Sequence, residues 1–482
     1  MKRASLLLVL AMLAGILAAC GGTPAAEPTE PTPAEEEAPA EGEGTEEPME
    51  DMTEEPMEDM TEEPMEDMTE EPMEDMTEEP MEDMTEEPME DMTEEPTEEG
   101  TEEEGAEGGT GEFEGTIKIA TQSPLSGPQA AIGVGIQQAA DLGIEQLTAP
   151  LTDLGFTVEL APFDDQAQPE VGTANANNIV SDQEILCVDG HLNSGVALAA
   201  LPIYAGDDLV MVSPANTAPA VTEDFENAYR IVGRDDLQGP IGAQFANETL
   251  GSTSVYIIHD TTDYGQGVAT FFQQEAETLG IQVVGFEGTA ETSVFDSLIT
   301  PITAANPDLI YFGGIYSQAG PFFRQARERG IQSDFLGPDG MDNPELAELA
   351  GDAVGGMYYT SVAAPVSQFP DAAQFAQDYQ NAYGEPAPPF SPQSYDAVGI
   401  CTQAIAQAAE AAGGVPTRTQ VLEAMQSLEP YEGITGTYTF DEDGDPDPGT
   451  YYVLQVNEAG SPDEWDTNEA ADIIESEPPT EE

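Results

Sequence analysis

Positive charge is the scarcest property of this 482-residue chain. It carries 9 Lys and Arg against 97 Asp and Glu, for a formal net charge of −88. Lys118 is the only lysine after residue 2. Because phosphate binding requires Lys and Arg, this balance excludes nucleic acid as a partner. It also excludes attraction to an anionic membrane surface.

Long apolar runs are scarce as well. Residues 6–19 form one, but it is shorter than the roughly 20 residues that span a bilayer. Since Lys2 and Arg3 precede it, the run predicts a secretory signal peptide over residues 1–19. Leu17-Ala18-Ala19-Cys20 looks like a bacterial lipobox, which predicts that Cys20 is lipidated and that this lipid is the only membrane anchor. The alternative is an ordinary signal peptide with a chance cysteine near its cleavage site.

Cysteine and histidine are nearly absent. Beyond Cys20, the chain has Cys187 in an apolar strand and Cys401 in an Ala-rich helix. Free cysteine packs as a small hydrophobe, so we expect two buried free thiols, although a secreted chain also permits a disulfide. His191 and His259 have no Cys or Ser partner in a recognisable motif, so we expect no metal site and no enzyme centre. No phosphate-binding glycine motif opens a helix, and we expect no cofactor.

Residues 20–115 contain an octapeptide repeat and no cation. Thr-Glu-Glu-Pro-Met-Glu-Asp-Met occurs six times between residues 45 and 92. Each copy has too little apolar surface to offset chain entropy, so we predict a disordered acidic tether. Fully extended, the tether would reach roughly 310 Å. A spacer between the lipid and the folded part is the favoured role, with Cu(I) binding by methionine or weak Ca²⁺ accumulation as alternatives.

Strand-like apolar runs alternate with helical patterns from residue 116 onward. This βαβ series predicts parallel sheets with right-handed crossovers. The series restarts after Gly239-Pro240, so we expect an α/β fold of two doubly wound parallel-sheet lobes. The expected strands are 116–121, 156–161, 185–188, 209–212 and 229–232 in the first lobe, and 255–259, 283–286, 309–312, 335–336 and 357–361 in the second.

Two loops at expected strand ends carry the strongest functional signal. They are Gly190-His191-Leu192-Asn193-Ser194-Gly195 and Ser213-Pro214-Ala215-Asn216-Thr217, and each precedes a helical segment. Unpaired N–H groups and the helix dipole favour an anion there, so the two loops together can hold one carboxylate. In the second lobe, Tyr264, Tyr316 and Asp339 follow strand ends. An acid facing an anion site suits a zwitterion, although Asp339 within Pro-Asp-Gly is also a turn signal by itself.

Several further motifs follow one another in a fixed order along residues 116–457. They are Ser126-Gly127-Pro128, Phe163-Asp164-Asp165, Arg230, Asp235, Gln238-Gly239-Pro240, Ile258-His259-Asp260, Tyr264-Gly265, Gly313-Gly314, Arg324-Gln325-Ala326-Arg327 and Gly337-Pro338-Asp339-Gly340. In this order they resemble the branched-chain amino acid-binding proteins of bacterial ABC importers.

The resemblance implies a type I periplasmic-binding fold, whose chain crosses between two lobes three times and so joins them by a three-stranded hinge. It assigns residues 116–235 and 364–432 to the first lobe. It assigns residues 236–363 and 433–460 to the second lobe, and leaves residues 461–482 as an acidic tail.

The same resemblance implies roles for individual residues. Ser194 and Thr217, with Ala215 between them, fall where the family grips the ligand carboxylate. Asp339 stands where the family has an acidic residue, usually Glu, for the ammonium group. The shorter side chain moves the carboxylate back by one methylene, which leaves room for a larger or differently placed amine. Asp235 resembles a second residue on the amine side.

The side-chain end of the ligand site follows from the resemblance too. Tyr264 and Tyr316 match aromatic positions that line the cleft. Ile132 stands where some members have an aromatic ring over the ligand side chain, which points to an aliphatic or differently shaped group. The disulfide found in some members would need cysteines at Ala167 and Asn193, so it cannot form here.

Taken together, these features predict a lipid-anchored extracytoplasmic solute-binding protein. It would be a monomer that captures a small amino acid of the branched-chain or aliphatic type and presents it to ABC permease subunits. The alternatives are a ligand-sensing domain of a signalling system, a binder of amides, urea-like compounds or aromatic acids, and a surface protein whose tether is the working part.

The acidity of the folded part predicts a dependence on salt. Residues 116–482 contain seven cations, so their acidic groups repel one another and screening ions weaken that repulsion. We expect the melting temperature of the chain to rise between about 0.05 M and about 1 M NaCl, followed by circular dichroism. A melting temperature that falls with added salt would contradict this view.

Overall fold

The computed structural model describes residues 113–462, Trp465 and residues 468–476. The predicted signal peptide, Cys20 and almost all of the predicted tether lie outside the described residues. Within the described part, no helix combines the length and the apolar character needed to cross a bilayer.

The strands and helices alternate along most of the described chain. The strands are β1 (Thr116–Ser123), β2 (Thr157–Asp164), β3 (Ile185–Gly190), β4 (Val210–Ser213), β5 (Ala228–Arg230), β6 (Ser254–His259), β7 (Gln282–Gly288), β8 (Leu309–Gly313), β9 (Asp334–Gly337), β10 (Tyr358–Ser361), β11 (Tyr431–Glu432), β12 (Thr437–Tyr438), β13 (Gly449–Gln455) and β14 (Glu469–Ser476). The helices are α1 (Ala130–Leu147), α2 (Ala149–Thr152), α3 (Pro169–Ser181), α4 (Ser194–Ala205), α5 (Ala220–Glu223), α6 (Asp235–Glu248), α7 (Asp263–Thr278), α8 (Asp296–Ala305), α9 (Tyr316–Glu328), α10 (Pro344–Ala350), α11 (Ala373–Tyr383), α12 (Ser391–Ala412) and α13 (Arg418–Met425).

The first lobe is built on a five-stranded parallel sheet in the order β2-β1-β3-β4-β5. Strands β3 and β4 are buried at every residue, as strands covered by helices on both faces must be. After passing through the second lobe, the chain returns and places α12 against this sheet. Val398 and Ile405 of α12 share one core with Ile117 and Ile119 of β1.

A disulfide joins Cys187 of β3 to Cys401 of α12. The expectation of two free thiols is therefore wrong. Both cysteines are fully buried in the core of the first lobe and are 214 positions apart in sequence. Only the return of α12 to the sheet makes them neighbours, and the bond fastens the returning segment to β3.

The second lobe contains a seven-stranded sheet in the order β14-β13-β10-β9-β8-β6-β7. Strands β6 to β10 run parallel to one another, whereas β13 pairs antiparallel with both β10 and β14. Strand β14 lies within residues 461–482, so the segment that we expected to be an acidic tail contributes the edge of this sheet.

The third crossing between the lobes lies later in the chain than expected. Residues 433–460 were assigned to the second lobe, but Tyr438 lies in the core of the first lobe. Phe440 packs edge-on against Tyr229 of β5 with ring centroids 5.2 Å apart. The chain therefore leaves the first lobe between Phe440 and the start of β13 at Gly449.

A buried ion-pair cluster joins two of the segments that pass between the lobes. The first contains residues 230–234, and the third contains Asp445. Arg230 donates to one oxygen of Asp445 at 2.5 Å, and Arg234 donates to the other at 2.7 Å. Burial acts to raise the pKa of Asp445, but the two guanidinium groups outweigh it and hold that pKa below its usual value. Arg234 precedes α6 and Asp445 precedes β13. The cluster therefore connects two of the segments that lead into the second lobe.

The disulfide predicts a measurable contribution to stability. Replacing both cysteines, as Cys187→Ala with Cys401→Ala, should lower the free energy of unfolding by about 2–5 kcal/mol, because a long loop of the unfolded chain is no longer closed. Urea unfolding followed by fluorescence measures this loss. Wild-type protein unfolded with a reducing agent present should match the double variant, and equal stability of oxidised and reduced wild type would contradict the prediction.

Candidate ligand-binding cleft

A small cavity lies between the two lobes, where the carboxyl ends of both sheets face each other. In open α/β sheets this is the edge at which ligands bind. The first lobe lines it with Gln129, Ile132, Leu192, Asn193, Ser194, Ala215, Thr217 and Phe390, and the second lobe with Tyr264, Ile315, Asp339 and Gly340.

A wider hollow lies at the opposite edge of the second sheet. Its acidic residue Asp308 is exposed and accepts hydrogen bonds from the backbone and hydroxyl groups of Thr253 and Ser254. The hollow thus contains a carboxylate that its neighbours already satisfy, and the interlobe cleft is the better candidate for a binding site.

The first-lobe wall of the cleft is formed by the two loops that the sequence singled out. Asn216 connects them, because its amide oxygen accepts from the His191 N–H at 3.2 Å and its amide nitrogen donates to the Leu192 carbonyl at 3.0 Å. Ser213 supports Asn216 by accepting its N–H at 2.8 Å. This positioning role of Asn216 has no local sequence signal, since it depends on two loops 25 residues apart meeting in space.

Ser194 and Thr217 lie side by side on this wall. Ser194 is the first residue of α4, where backbone N–H groups point out of the helix end. Its hydroxyl accepts weakly from the Ala218 N–H at 3.4 Å. The Thr217 hydroxyl is buried and has no hydrogen-bond partner among the described residues. The wall therefore presents hydroxyl and N–H groups to the cleft.

The second-lobe wall presents a carboxylate held by a tyrosine. The Tyr264 hydroxyl donates to Asp339 at 2.7 Å and accepts from the Gly340 N–H at 2.9 Å. Asp339 is 4% exposed, and burial raises its pKa to about 6 against the opposing effect of Tyr264. Asp339 is thus more than the turn residue that Pro-Asp-Gly requires, because its side chain faces the cleft.

Asp235 adds a second carboxylate behind the first. It is fully buried at the start of α6, and burial, followed by the charge of Asp339, raises its pKa well above the usual value. Thr217 and Gln238 approach the two carboxylates closely enough to lower their pKa values. Neither oxygen of Asp235 has a partner that meets hydrogen-bond geometry within the described chain.

Tyr311 lies near Asp235 and Asp339, which the sequence did not predict. Its hydroxyl is also without a partner in the described part of the protein, and its pKa is raised by burial and then by Asp235 and Asp339. Tyr311 lies in the middle of β8, in an apolar run, so sequence alone suggested a core residue.

Tyr316 does not line the cavity but connects the lobes. Its hydroxyl donates to the carbonyl of Pro128 in the first lobe at 3.1 Å. Nearby, the Asp263 carboxylate of α7 approaches Gly195 of α4 so closely that a Cβ there would lie 2.9 Å from it. These two contacts join the rims of the cleft, which is closed in this structure.

Apart from the amides of Gln129 and Asn193, the remaining cavity wall is apolar. Ile132, Leu192, Ile315 and Phe390 surround it, and Ile132 lies where we expected it. Phe390 was not anticipated: it has a positive φ of 67° directly before α12, and only the returning segment brings it to the cleft.

The sequence of residues 116–461 matches the family described as periplasmic binding protein. The chain belongs to this family. Membership confirms the predicted fold and the resemblance to the branched-chain amino acid-binding proteins. It also confirms a solute-binding protein rather than an enzyme, and a location outside the cytoplasm.

Three relatives illustrate how far the similarity extends along this periplasmic binding protein. The Leu/Ile/Val-binding protein homolog 1 of Brucella suis is 33% identical over 341 residues, which are 70% of this chain and 89% of that protein. The leucine-, isoleucine-, valine-, threonine- and alanine-binding protein of Pseudomonas aeruginosa is 33% identical over 332 residues, covering 68% and 87%. The crystal structure of the leucine-binding protein LivK from Thermotoga maritima superposes with a TM-score of 0.66 at 28% identity, covering 74% and 98%.

The raised pKa of Asp339 predicts that this residue destabilises the ligand-free protein. An acid with a folded pKa of about 6 and a lower unfolded value opposes folding above pH 6 and ceases to do so below about pH 4. Asp339→Asn should therefore unfold at higher urea than wild type at pH 8, by up to about 3 kcal/mol, with no gain at pH 4.

Asp308→Asn is the matched control for this experiment. The hydrogen bonds from Thr253 lower the pKa of Asp308, so this substitution should destabilise the protein at pH 8, the opposite sign. A gain from Asp339→Asn that is the same at both pH values would show that ionisation of Asp339 is not its cause.

Proposed function

We propose that this protein is the solute-binding lipoprotein of an ABC importer and captures a small α-amino acid of the branched-chain or aliphatic type. The proposal is supported by the way in which the two walls of the cleft face each other. The first lobe presents unpaired hydrogen-bond donors, and the second lobe presents buried carboxylates. A zwitterion satisfies both walls at once, whereas a simple anion or cation would leave one of them unpaired.

The ligand carboxylate belongs at the first-lobe wall. There the start of α4 offers N–H groups and a positive dipole end, and the Ser194 and Thr217 hydroxyls add donors beside Ala215. Since no Lys or Arg is among the cavity residues, these neutral donors carry the recognition of the carboxylate.

The ligand ammonium group belongs between Asp339 and Asp235. An ammonium ion has three N–H donors, which suits Asp339 and the unpartnered Asp235 oxygens. An approaching cation favours ionisation of a neighbouring acid, so binding should draw Asp339 into its charged form and weaken at acidic pH. The names of the relatives, which refer to leucine, isoleucine and valine, support an amino acid as the ligand.

The ligand side chain then points toward Ile132, Leu192, Ile315 and Phe390. These apolar walls suit a short branched side chain, and aromatic Phe390 supplies the ring that Ile132 lacks. Contact of a ligand with both walls stabilises the closed arrangement, in which Tyr316 meets Pro128.

Attachment and delivery remain part of the same proposal. Residues 1–19 would direct export, the lipid on Cys20 would anchor the mature chain as a monomer, and residues 20–115 would let the folded part reach permease subunits at the membrane. The high acidic content of that segment favours an extended spacer.

The donors on the first-lobe wall can be tested by calorimetry. Wild type is titrated with L-leucine, L-isoleucine and L-valine. For whichever of these binds, Ser194→Ala combined with Thr217→Ala should weaken the affinity by about 2–5 kcal/mol, because the ligand carboxylate loses two donors in a desolvated site.

A matched control replaces an exposed serine and an exposed threonine. Ser181→Ala with Thr278→Ala removes the same groups from the outer ends of α3 and α7 and should leave affinity unchanged. Equal affinity of both double variants would remove Ser194 and Thr217 from the site. Absence of binding to every amino acid tested would contradict the proposed ligand class.

A further inference from the structure

An amide pair lies at the apolar end of the cleft. Asn193 donates from its amide nitrogen to the Gln129 amide oxygen at 2.8 Å. Both residues line the interlobe cavity together with Ile132, Leu192 and Phe390. The Asn193 amide oxygen is shielded from solvent and has no hydrogen-bond partner among the described residues.

The Asn193 side chain does not cap the helix that it precedes. Asn193 is the N-cap residue of α4, where asparagine usually accepts a hydrogen bond from the first turn of the helix. Its side chain makes no such bond. Gln129, the N-cap of α1, likewise does not cap its own helix. Both side chains are instead turned toward each other, so helix capping does not explain them.

The charge of the cleft decides which ligand group the amide oxygen can meet. The first turn of α4, with Ser194 and nearby Thr217, receives the ligand carboxylate in the proposed function, so the Asn193 amide is left for another part of the ligand. The ammonium group is drawn to Asp339 and Asp235 on the opposite lobe. The ligand side chain is therefore the part that contacts the Asn193 amide. A purely apolar side chain would leave this buried amide group without a hydrogen bond, so we expect the ligand side chain to contain a hydrogen-bonding group.

A side-chain hydroxyl suits both possible orientations of the two amides. Amide oxygen and nitrogen are assigned from the hydrogen-bond network. With both amides of Gln129 and Asn193 reversed, a nitrogen donor would face the ligand in place of the oxygen. A hydroxyl both donates and accepts, and it therefore satisfies either orientation.

We propose that Asn193, oriented by Gln129, is a specificity-determining residue that selects a small branched amino acid with a side-chain hydroxyl over its purely aliphatic isostere. This inference rests on the proposed function and narrows its ligand class.

L-threonine and L-valine are the matched probes for this proposal. They have the same shape and differ by a hydroxyl in place of a methyl group. A site built to pair with a hydroxyl discriminates strongly against an analogue without one. Calorimetry on the wild-type chain should show threonine binding at least about tenfold more tightly than valine.

Asn193→Leu should reverse this order. The substitution keeps the size of the side chain and removes both of its polar atoms, so threonine should lose at least about tenfold in affinity while valine is held as well or better. Gln129→Leu removes the group that orients Asn193, and it should reduce the threonine-to-valine ratio without abolishing binding. Asn177→Leu, an exposed change on α3, should leave the ratio unchanged.

The wild-type comparison alone can overturn the proposal, whether or not a variant folds. Valine binding as tightly as threonine, or more tightly, would disprove a hydroxyl-selecting role for Asn193 and leave the proposed amino acid transport intact. Leucine or isoleucine binding with no affinity for threonine would do the same. Absence of binding to any amino acid would overturn the proposed function and this inference together.

Discussion

Two buried carboxylates without a cationic partner govern the chemistry of this protein. Asp339 is part of the second-lobe wall of a cleft that no lysine or arginine lines, and Asp235 is buried behind it. Ionising an unpaired acid in such a place is unfavourable by an amount on the order of several kcal/mol. The pKa values of both acids are therefore raised. In the proposed function, the positive charge of a ligand makes ionisation of the two acids more favourable. In the proposed function, the donors of the opposite lobe bind the negative end of the same ligand.

This arrangement needs two rigid walls and a joint that allows them to meet. The first wall is rigid because Asn216 connects its two loops and because the Cys187–Cys401 disulfide fastens α12 to β3. At the joint, Asp445 binds both Arg230 and Arg234, so two of the crossing strands are held by one cluster of paired charges. A third cation, Lys118 near the start of β1, pairs with Asp182 and Glu184.

Sequence reasoning found those site residues that carry a local signal. Ser194, Ala215 and Thr217 follow strands and begin helices, Asp339 interrupts a strand-turn pattern, and each of them lines the cleft. Phe390, Gln129 and Tyr311 carry no such signal. Phe390 reaches the cleft on a segment that returns from the other lobe, and Tyr311 looks like any residue of a buried strand. Tyr316 was placed in the right region but makes an interlobe contact.

The sequence by itself determined the class of the protein: its extreme acidity, its repeated N-terminal segment, its two series of alternating strands and helices, and the polar loops at their strand ends. These follow from composition and from the spacing of neighbouring residues, which act over a few positions of the chain. The tertiary structure alone decided that Cys187 meets Cys401, that residues 469–476 form the edge of the second sheet, and that Asn193 and Phe390 line one cleft. Those contacts depend on where the chain returns after each of its three passages between the lobes. A pattern of neighbouring residues does not determine which distant segments will meet.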